Sequence, residues 1–451
     1  MMRLSEIAQA VHGELIGRDA RIQGVSTDTR TLNDGELFVA LKGPKFDGHA
    51  FIEAARRAGA AGALVQSEQD SPLPVVKVAD SLKALGELAA AWRARFSIPL
   101  VAVTGSNGKT TVKEMIGSIL TLRAPALIST GNLNNDIGVP LVLCGLRPEH
   151  RYAVIEMGMN HPGEIDYLSR LARPTVALIN NAAPAHLEGL GSVEAVADAK
   201  GEIINGLDDG GVVVLNRDDP FFDHWQSMAG SRAVLSFGFD PRAEVRAADG
   251  ALAEGRFLLQ LRDRTVEVEL PLAGRHNIAN ALAAAAAASA VGIDAEQIKA
   301  GLERVRPVPG RLCVRGGAGG ARLLDDSYNA NPASVAAGIE VLAAYPGRRV
   351  LVLGDMAELG AEARALHQRA GEQARERGID ALYGLGDMSG AAVEAFGAGG
   401  AHYHDREALI EALRDEAGPG TTFLIKGSRS MRMDEIVAAL AENNRAREGV
   451  R

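Results

Sequence analysis

Cysteine is nearly absent from this sequence: Cys144 and Cys313 are the two in 451 residues. Two thiols cannot form a disulfide framework, and neither has a metal-ligating neighbour at short spacing. Both therefore read as buried thiols in a reducing compartment. Aromatic residues are also few, at 4%, within an otherwise ordinary globular composition of 47% hydrophobic and 23% charged residues. Positive charge is not in excess. The formal net charge of −9 gives no general attraction to nucleic acid or to anionic lipid. A long hydrophobic run is missing too. The longest, 279–291, is too short to span a bilayer and is interrupted by Asn280 and Ser289. The first residues, Met-Met-Arg-Leu-Ser-Glu, lack the apolar core of a signal peptide. No short repeat or low-complexity tail stands out. A cytoplasmic protein with no nucleic-acid partner and no membrane insertion is expected.

What is present is a phosphate-binding signature. The apolar run 100–103 leads into Thr104-Gly105-Ser106-Asn107-Gly108-Lys109-Thr110-Thr111, and a helical pattern follows through Val112, Met115, Ile116, Ile119 and Leu120. Strand, glycine loop and helix in that order form a phosphate cradle: backbone N–H groups close around phosphate oxygens, aided by the positive end of the helix dipole. Lys109 would supply a full charge to the terminal phosphates, and the Thr110 hydroxyl a ligand for Mg²⁺. The general pattern wants a glycine where Val103 stands, so this loop is a shorter form. A nucleoside triphosphate is the expected ligand. A glycine-rich turn that binds nothing is the plainer alternative.

Length allows roughly two to four domains, and the pattern suggests three α/β units: 1–97, 98–308 and 309–451. In the first, strands are expected at 35–41, 63–65 and 75–78, with helices from 48 and over 81–96. In the second, strands at 100–103, 153–157, 175–180 and 212–216 separated by helix-length segments imply parallel βαβ units, with 243–271 a small antiparallel appendage. Pro307-Val-Pro309-Gly310-Arg311 reads as a hinge. Beyond it, strands at 349–353, 381–385 and 422–426 alternate with helices 333–344, 362–377 and 431–442, giving a second open sheet. The glycine run 316–320 reads as a flexible hairpin tip.

Ligands of open α/β sheets sit beyond the carboxyl ends of strands. Glu156 ends such a strand. If it neighbours the loop strand it faces the phosphates and could hold Mg²⁺; otherwise it is a solvated carboxylate. Met157-Gly-Met-Asn160-His161-Pro-Gly follows it. Another strand ends in Asn180-Asn181, with His186 beyond it as a structural histidine or a second metal ligand. Lys200, taken by itself, reads as a solvated helix lysine. Asn132-Leu-Asn134-Asn135-Asp136 is a turn or a binder of neutral sugar and amide groups. Asp325-Asp326-Ser327-Tyr328-Asn329-Ala330-Asn331-Pro332, Gly354-Asp355-Met356-Ala-Glu358-Leu-Gly360 and Lys426-Gly427-Ser428-Arg429-Ser430 mark three further strand ends. The last is cationic, suited to a carboxylate or only to a helix cap.

Together these segments resemble the Mur ligase family of peptidoglycan synthesis, over nearly the whole chain, and within it the group that adds D-alanyl-D-alanine. The resemblance also takes in Asp28-Thr-Arg30, Gly274-Arg-His276-Asn277 and Pro309-Gly-Arg311. The Asp-Asn-Pro-Arg signature of the related diaminopimelate-adding ligases is absent. The resemblance implies a three-domain α/β fold: an N-terminal UDP-binding domain, a central ATPase domain with a parallel sheet, and a Rossmann-like C-terminal domain. It implies a monomeric, ATP-dependent ligase that joins D-Ala-D-Ala to UDP-N-acetylmuramoyl-tripeptide through an acyl phosphate. Gly105, Ser106, Asn107, Gly108, Lys109, Thr110 and Thr111 would hold ATP, with Asn277 at the adenine, Arg311 at the phosphates and Asp326 at the ribose. Thr110 and Glu156 would carry one Mg²⁺; His186 and a carbamylated Lys200 would carry a second. Ser26, Asp28 and Arg30 would contact the UDP-sugar. Asn134, Asn135, Asn160 and His161 would line the path of the peptide or its Mg²⁺. Tyr328, Asn331, Lys426 and Arg429 would face the dipeptide. A folylpolyglutamate synthase-like enzyme is the rival within amide ligases, and the extra N-terminal unit argues against it. A small-molecule kinase or a nucleotide-gated binding module is the rival from other classes.

Overall fold

The structure is a computed structural model that describes residues 1–44, 46–67, 72–184, 187–248 and 255–442. Three larger sheets follow one another along it, of five, nine and six strands. In the first, Val25–Ser26, Leu37–Val39, Gly62–Val65 and Val75–Lys77 run parallel, and Glu14–Ile16 closes an edge antiparallel. The four residues of Gly62–Val65 are all buried, as expected of a strand covered on both faces. The helix Ser81–Arg93 follows, its first turn capped by the Asp80 carboxylate, which accepts from the N–H groups of Leu82 and Lys83.

The nine-stranded sheet is built around Leu100–Thr104. Tyr152–Glu156 flanks it on one side and Val176–Ile179 on the other, both parallel. Both neighbours come later in the chain, so the loop strand sits where the strand order reverses, the position at which such sheets open a crevice. Val212–Asn216 and Ala233–Gly238 extend the parallel array. The antiparallel pair Arg256–Leu261 and Arg264–Glu269, expected as an appendage, instead continues this sheet through Val245–Ala247. Behind the sheet, the helix Arg275–Ala290 packs on the phosphate-loop helix Lys109–Arg123. Residues 281–288 of that helix are entirely inaccessible to solvent. Alanine makes the close approach possible, since its side chain adds little thickness between two backbones.

The third sheet holds Arg322–Asp326, Thr421–Lys426, Arg348–Gly354, Ala381–Leu385 and Gly400–Tyr403 in parallel order. Cys313–Gly316 lies antiparallel at one edge, and the glycine run after it forms the hairpin tip.

The first two units share one apolar core, which runs from Leu4 and Leu64 through Trp92 to Ile155 and Trp225. Buried polar bonds stiffen that junction. Trp92 Nε1 donates to the Leu146 carbonyl at 3.1 Å, and Arg93 Nε to the Ala172 carbonyl at 2.9 Å. The core of the third unit is separate, with its buried clusters drawn from Leu312 onward.

Candidate functional site

A cavity of about 1290 Å³ opens at the carboxyl end of the loop strand and takes lining from all three units. Asp80 and Lys83 reach it from the first, residues of the phosphate loop from the second, and Arg311, Tyr328 and Arg429 from the third.

The phosphate loop is held open by an asparagine network. Asn107 N donates to Asn181 Oδ1 at 2.8 Å, and Asn107 O accepts from Asn180 Nδ2 at 2.9 Å and Asn181 Nδ2 at 3.1 Å. Ser106 N donates to the Asn181 carbonyl, and Ser106 Oγ to the Ala183 carbonyl. Gly108 has φ +78°, and a Cβ there would lie 2.3 Å from Asn280 Oδ1 and 2.6 Å from Asn180 Nδ2. Glycine is required at that point by conformation and by space. The network continues from Asn180 Nδ2 to Asn280 Oδ1 at 3.0 Å and from Asn280 Nδ2 to Asn277 Oδ1 at 3.2 Å. Asn277, expected at the adenine, is thereby wired to the loop. The signal for Asn280 was in the sequence: one amide inside an alanine run must find a buried partner.

Lys109 is half-buried, and its Nζ donates to the Gly105 carbonyl at 2.7 Å, which folds the ammonium back over the loop. Burial lowers its pKa, and the Glu156 carboxylate opposes that shift. Glu156 does neighbour the loop strand, in register with Val103. Its Oε1 accepts from Asn134 Nδ2 at 2.8 Å, while its Oε2 is buried with no hydrogen-bond partner among the described residues. An orphaned carboxylate oxygen beside the Thr110 hydroxyl's loop is the donor a hard cation takes, so these residues fit Mg²⁺.

Lys200 corrects the reading from its sequence neighbourhood. It is 2% exposed, not solvated. Its ammonium meets no carboxylate or hydrogen-bond acceptor among the described residues. Burial, reinforced by the charge of Lys109, drives its pKa well below the ordinary lysine value. Burial without a counter-charge disfavours the charged form of this side chain. His186 lies outside the described residues.

The third unit closes the cavity. Arg311 Nη2 donates to Thr110 Oγ1 at 3.4 Å, and its guanidinium lies 4.1 Å from the Tyr328 ring centroid. Asn331 caps the helix Pro332–Ala343 by accepting from Ser334 N at 2.9 Å, and its Nδ2 donates to Asn107 Oδ1 at 2.8 Å. Lys426 is 2% exposed and bound to Asp326 Oδ2 at 2.6 Å and the Asn329 carbonyl at 2.9 Å. It is thus held within its own unit, as is Asp326. Arg429 is the more accessible cation, with Asp434 at 3.6 Å.

Other expected residues stand apart. His161 is exposed, pairs with Glu164 at 3.1 Å and is not among the cavity's lining residues, whereas Asn160 is. Asn135 lines the cavity but also accepts from Gly138 N at 2.8 Å, starting the helix Gly138–Cys144. Ser26, Asp28 and Arg30 form a separate cluster in the first unit. Asp28 N donates to Ser26 Oγ, and the Arg30 guanidinium meets Asp28 at 2.6 Å, holding its carboxyl down at about 2. They do not line this cavity. Tyr167, Asp80 and Lys83 do, and no sequence motif marked them.

Three family models match the chain: Mur ligase family, catalytic domain, over residues 21–93; Mur ligase middle domain over 103–288; and Mur ligase, glutamate ligase domain, over 310–429. A UDP-N-acetylmuramoyl-tripeptide–D-alanyl-D-alanine ligase from Escherichia coli (strain K12) is 48% identical over 445 residues, 98% of each chain. Among solved structures, MurF from Acinetobacter baumannii matches with a TM-score of 0.91 at 36% identity, over 97% of this chain and 98% of that one. MurF ligase from Thermotoga maritima in complex with ADP matches at 0.82 and 29% identity, over 92% and 96%.

Proposed function

This chain belongs to the Mur ligase family, and from that premise we infer that it is the ATP-dependent ligase joining D-alanyl-D-alanine to UDP-N-acetylmuramoyl-tripeptide. The product is the pentapeptide precursor of peptidoglycan. The observation that carries this reading is one cavity into which a phosphate loop and side chains of all three units project, together with the full-length relative of that name.

A carboxylate is a poor acyl donor at neutral pH. Transfer of the γ-phosphoryl of ATP to the terminal carboxylate of the tripeptide makes an acyl phosphate. The dipeptide amine then attacks the acyl carbon, a tetrahedral intermediate forms, and its C–O bond to phosphate breaks. The amine proton leaves to solvent. Lys109, fixed over the loop, stabilises charge that spreads over the γ-phosphoryl oxygens. Thr110 and the free oxygen of Glu156 would hold one Mg²⁺; His186 and Lys200 as its carbamate would hold a second. Mg²⁺, when bound, neutralises phosphate charge. The fit of Lys200 rests on its burial and lowered pKa, because carbon dioxide adds to a neutral amine. Asn277 faces the adenine, Arg311 the phosphates and Asp326 the ribose. Ser26, Asp28 and Arg30 hold the UDP-sugar within unit 1–97. Units 98–308 and 309–451 carry ATP and the dipeptide. Asn134, Asn135 and Asn160 border the peptide. A cavity built by one chain supports a monomer, and dependence on ATP supports a cytoplasmic setting. Among the described residues no helix is long and apolar enough to cross a membrane.

The test is phosphate release with UDP-N-acetylmuramoyl-tripeptide, with and without D-Ala-D-Ala, alongside the mass of the product. Dipeptide-dependent release and a pentapeptide mass are expected. A phosphorylated acceptor accumulating without amide would instead make the protein a kinase.

A further inference from the structure

The third unit keeps its own apolar core, and what joins it to the phosphate loop is polar. Among the described residues, two of its side chains donate hydrogen bonds to that loop: Arg311 to Thr110 at 3.4 Å and Asn331 to Asn107 at 2.8 Å. Away from the loop the units also meet through Glu188 N, which donates to the Glu358 carbonyl at 3.3 Å, and at the junction through Arg311 N and Cys313 Sγ, which donate to the Val308 carbonyl.

Asn107 is the point where these contacts enter the nucleotide site. Its backbone N–H and carbonyl are already taken by Asn180 and Asn181, and through Asn180 and Asn280 the chain of amides ends at Asn277. Among the described residues, only its side-chain oxygen is held from the third unit. Asn331 in turn cannot rotate freely. Its Oδ1 is committed to Ser334 N, and its own N–H donates to Ser334 Oγ at 3.0 Å. A residue held by a capping box through both its side-chain oxygen and its main-chain N–H presents its NH₂ in one direction. If the third unit shifts as a body, that donor leaves Asn107.

We propose that the Asn331–Asn107 hydrogen bond is the contact through which docking of the dipeptide-bearing unit sets the phosphate loop for phosphoryl transfer. Asn331 is then a positioning residue for the nucleotide, acting through Asn107, in place of the dipeptide-binding role expected from the sequence. This rests on the ligase reading above and adds to it an order of events. The loop is in its transfer geometry when the unit that brings the amine is docked, so acyl phosphate forms where an amine is at hand to take it. Loss of the contact should slow transfer and leave substrate affinity alone.

Asn331→Ser retains a capping hydroxyl and the helix start but is too short to reach Asn107. Asn107→Ala keeps both backbone bonds of the loop and removes the acceptor. Each variant and the double variant are assayed for kcat, for KM of all three substrates and for thermal unfolding, in a preparation whose unsubstituted enzyme ligates. Each single change should lower kcat about tenfold with KM for the UDP-tripeptide and dipeptide within about twofold. The double variant should be no slower than the worse single one, as expected for two partners in one contact. Unchanged kcat in Asn331→Ser, fully multiplicative losses in the double variant, or an effect confined to KM of the dipeptide would each overturn the proposal. A failure of the unsubstituted enzyme to ligate would bear on the ligase reading alone.

Discussion

Asp326 and Lys426 are register partners on adjacent parallel strands of the third sheet, and their side chains close on each other at 2.6 Å at the strand ends. The pair is nearly enclosed, so it orders the two loops that follow, one carrying Tyr328 and Asn331 and the other Arg429. Lys426 is therefore engaged in holding these two loops together. Lys426→Met should leave a buried carboxylate unpaired and destabilise the protein by about 3 kcal/mol in chemical denaturation. Arg429→Ala should leave stability unchanged and raise KM for D-Ala-D-Ala, because the dipeptide's carboxylate loses a charge-assisted donor. The C-terminal amide of the dipeptide should be a poor substrate for the unsubstituted enzyme and little worse for Arg429→Ala. An equal penalty in both enzymes would place the carboxylate elsewhere.

Lys109→Ala should reduce turnover on the order of a hundredfold to a thousandfold, the usual consequence of losing a charged donor in the transition state. Binding of the UDP-substrate, followed by calorimetry, should stay near normal. Near-normal phosphate release would remove the loop lysine from the mechanism.

Lys200→Ala should be inactive and partly rescued by short carboxylic acids, which restore an anionic ligand in the space vacated. The unsubstituted enzyme, depleted of carbon dioxide and bicarbonate, should lose activity and regain it on their return. A variant that works at full rate without added acid would leave Lys200 as a buried structural amine.

His367 is buried, with Nε2 accepting from Met356 N at 2.9 Å and Nδ1 held by the Ala363 carbonyl at 2.7 Å. The acceptor role fixes it as neutral, and burial lowers its pKa from the ordinary 6.5. Below that value the unfolded chain takes up a proton that the folded site refuses. Stability should thus be complete above pH 6.5 and fall as the pH drops toward the folded group's lower pKa. His367→Gln can keep both bonds without titrating. Melting temperature followed from pH 7.5 to 5 should decline less steeply for the variant, and parallel slopes would exclude His367 as a source of acid lability.

The fold was legible wherever periodicity and punctuation agreed. Val212–Asn216 and Ala381–Leu385 have the bounds that their apolar runs predict, since each is a short buried strand between turn signals. Short edge strands such as Ala126–Ile128 and Gly400–Tyr403 carried no such signal, because three or four half-exposed residues are too few to show a distinctive pattern. Within the site, the phosphate loop and Glu156 were visible as motif and strand end. Lys200 was not. Whether a helix lysine is solvated depends on which elements cover it, and nothing in the residues around it says so. The pairing of Asp326 with Lys426, and of Asn107 with Asn331, joins residues 100 and 224 positions apart. The first exists only once the third sheet has paired its strands, and the second only once the third unit has taken its place.

The alanine helix behind the phosphate loop has a consequence for how this protein can vary. A methyl group has no rotamers with which to absorb a neighbour's growth, so Arg275–Ala290 contributes little more than its main chain to the packing against the larger side chains of Lys109–Arg123. Glycine or serine would fit there. Any larger residue must push Asn277 and Asn280 away from Gly108, and the nucleotide site would move with them. Heat-sensitive alleles should therefore gather on a helix face that never meets solvent, where size alone decides which residues survive.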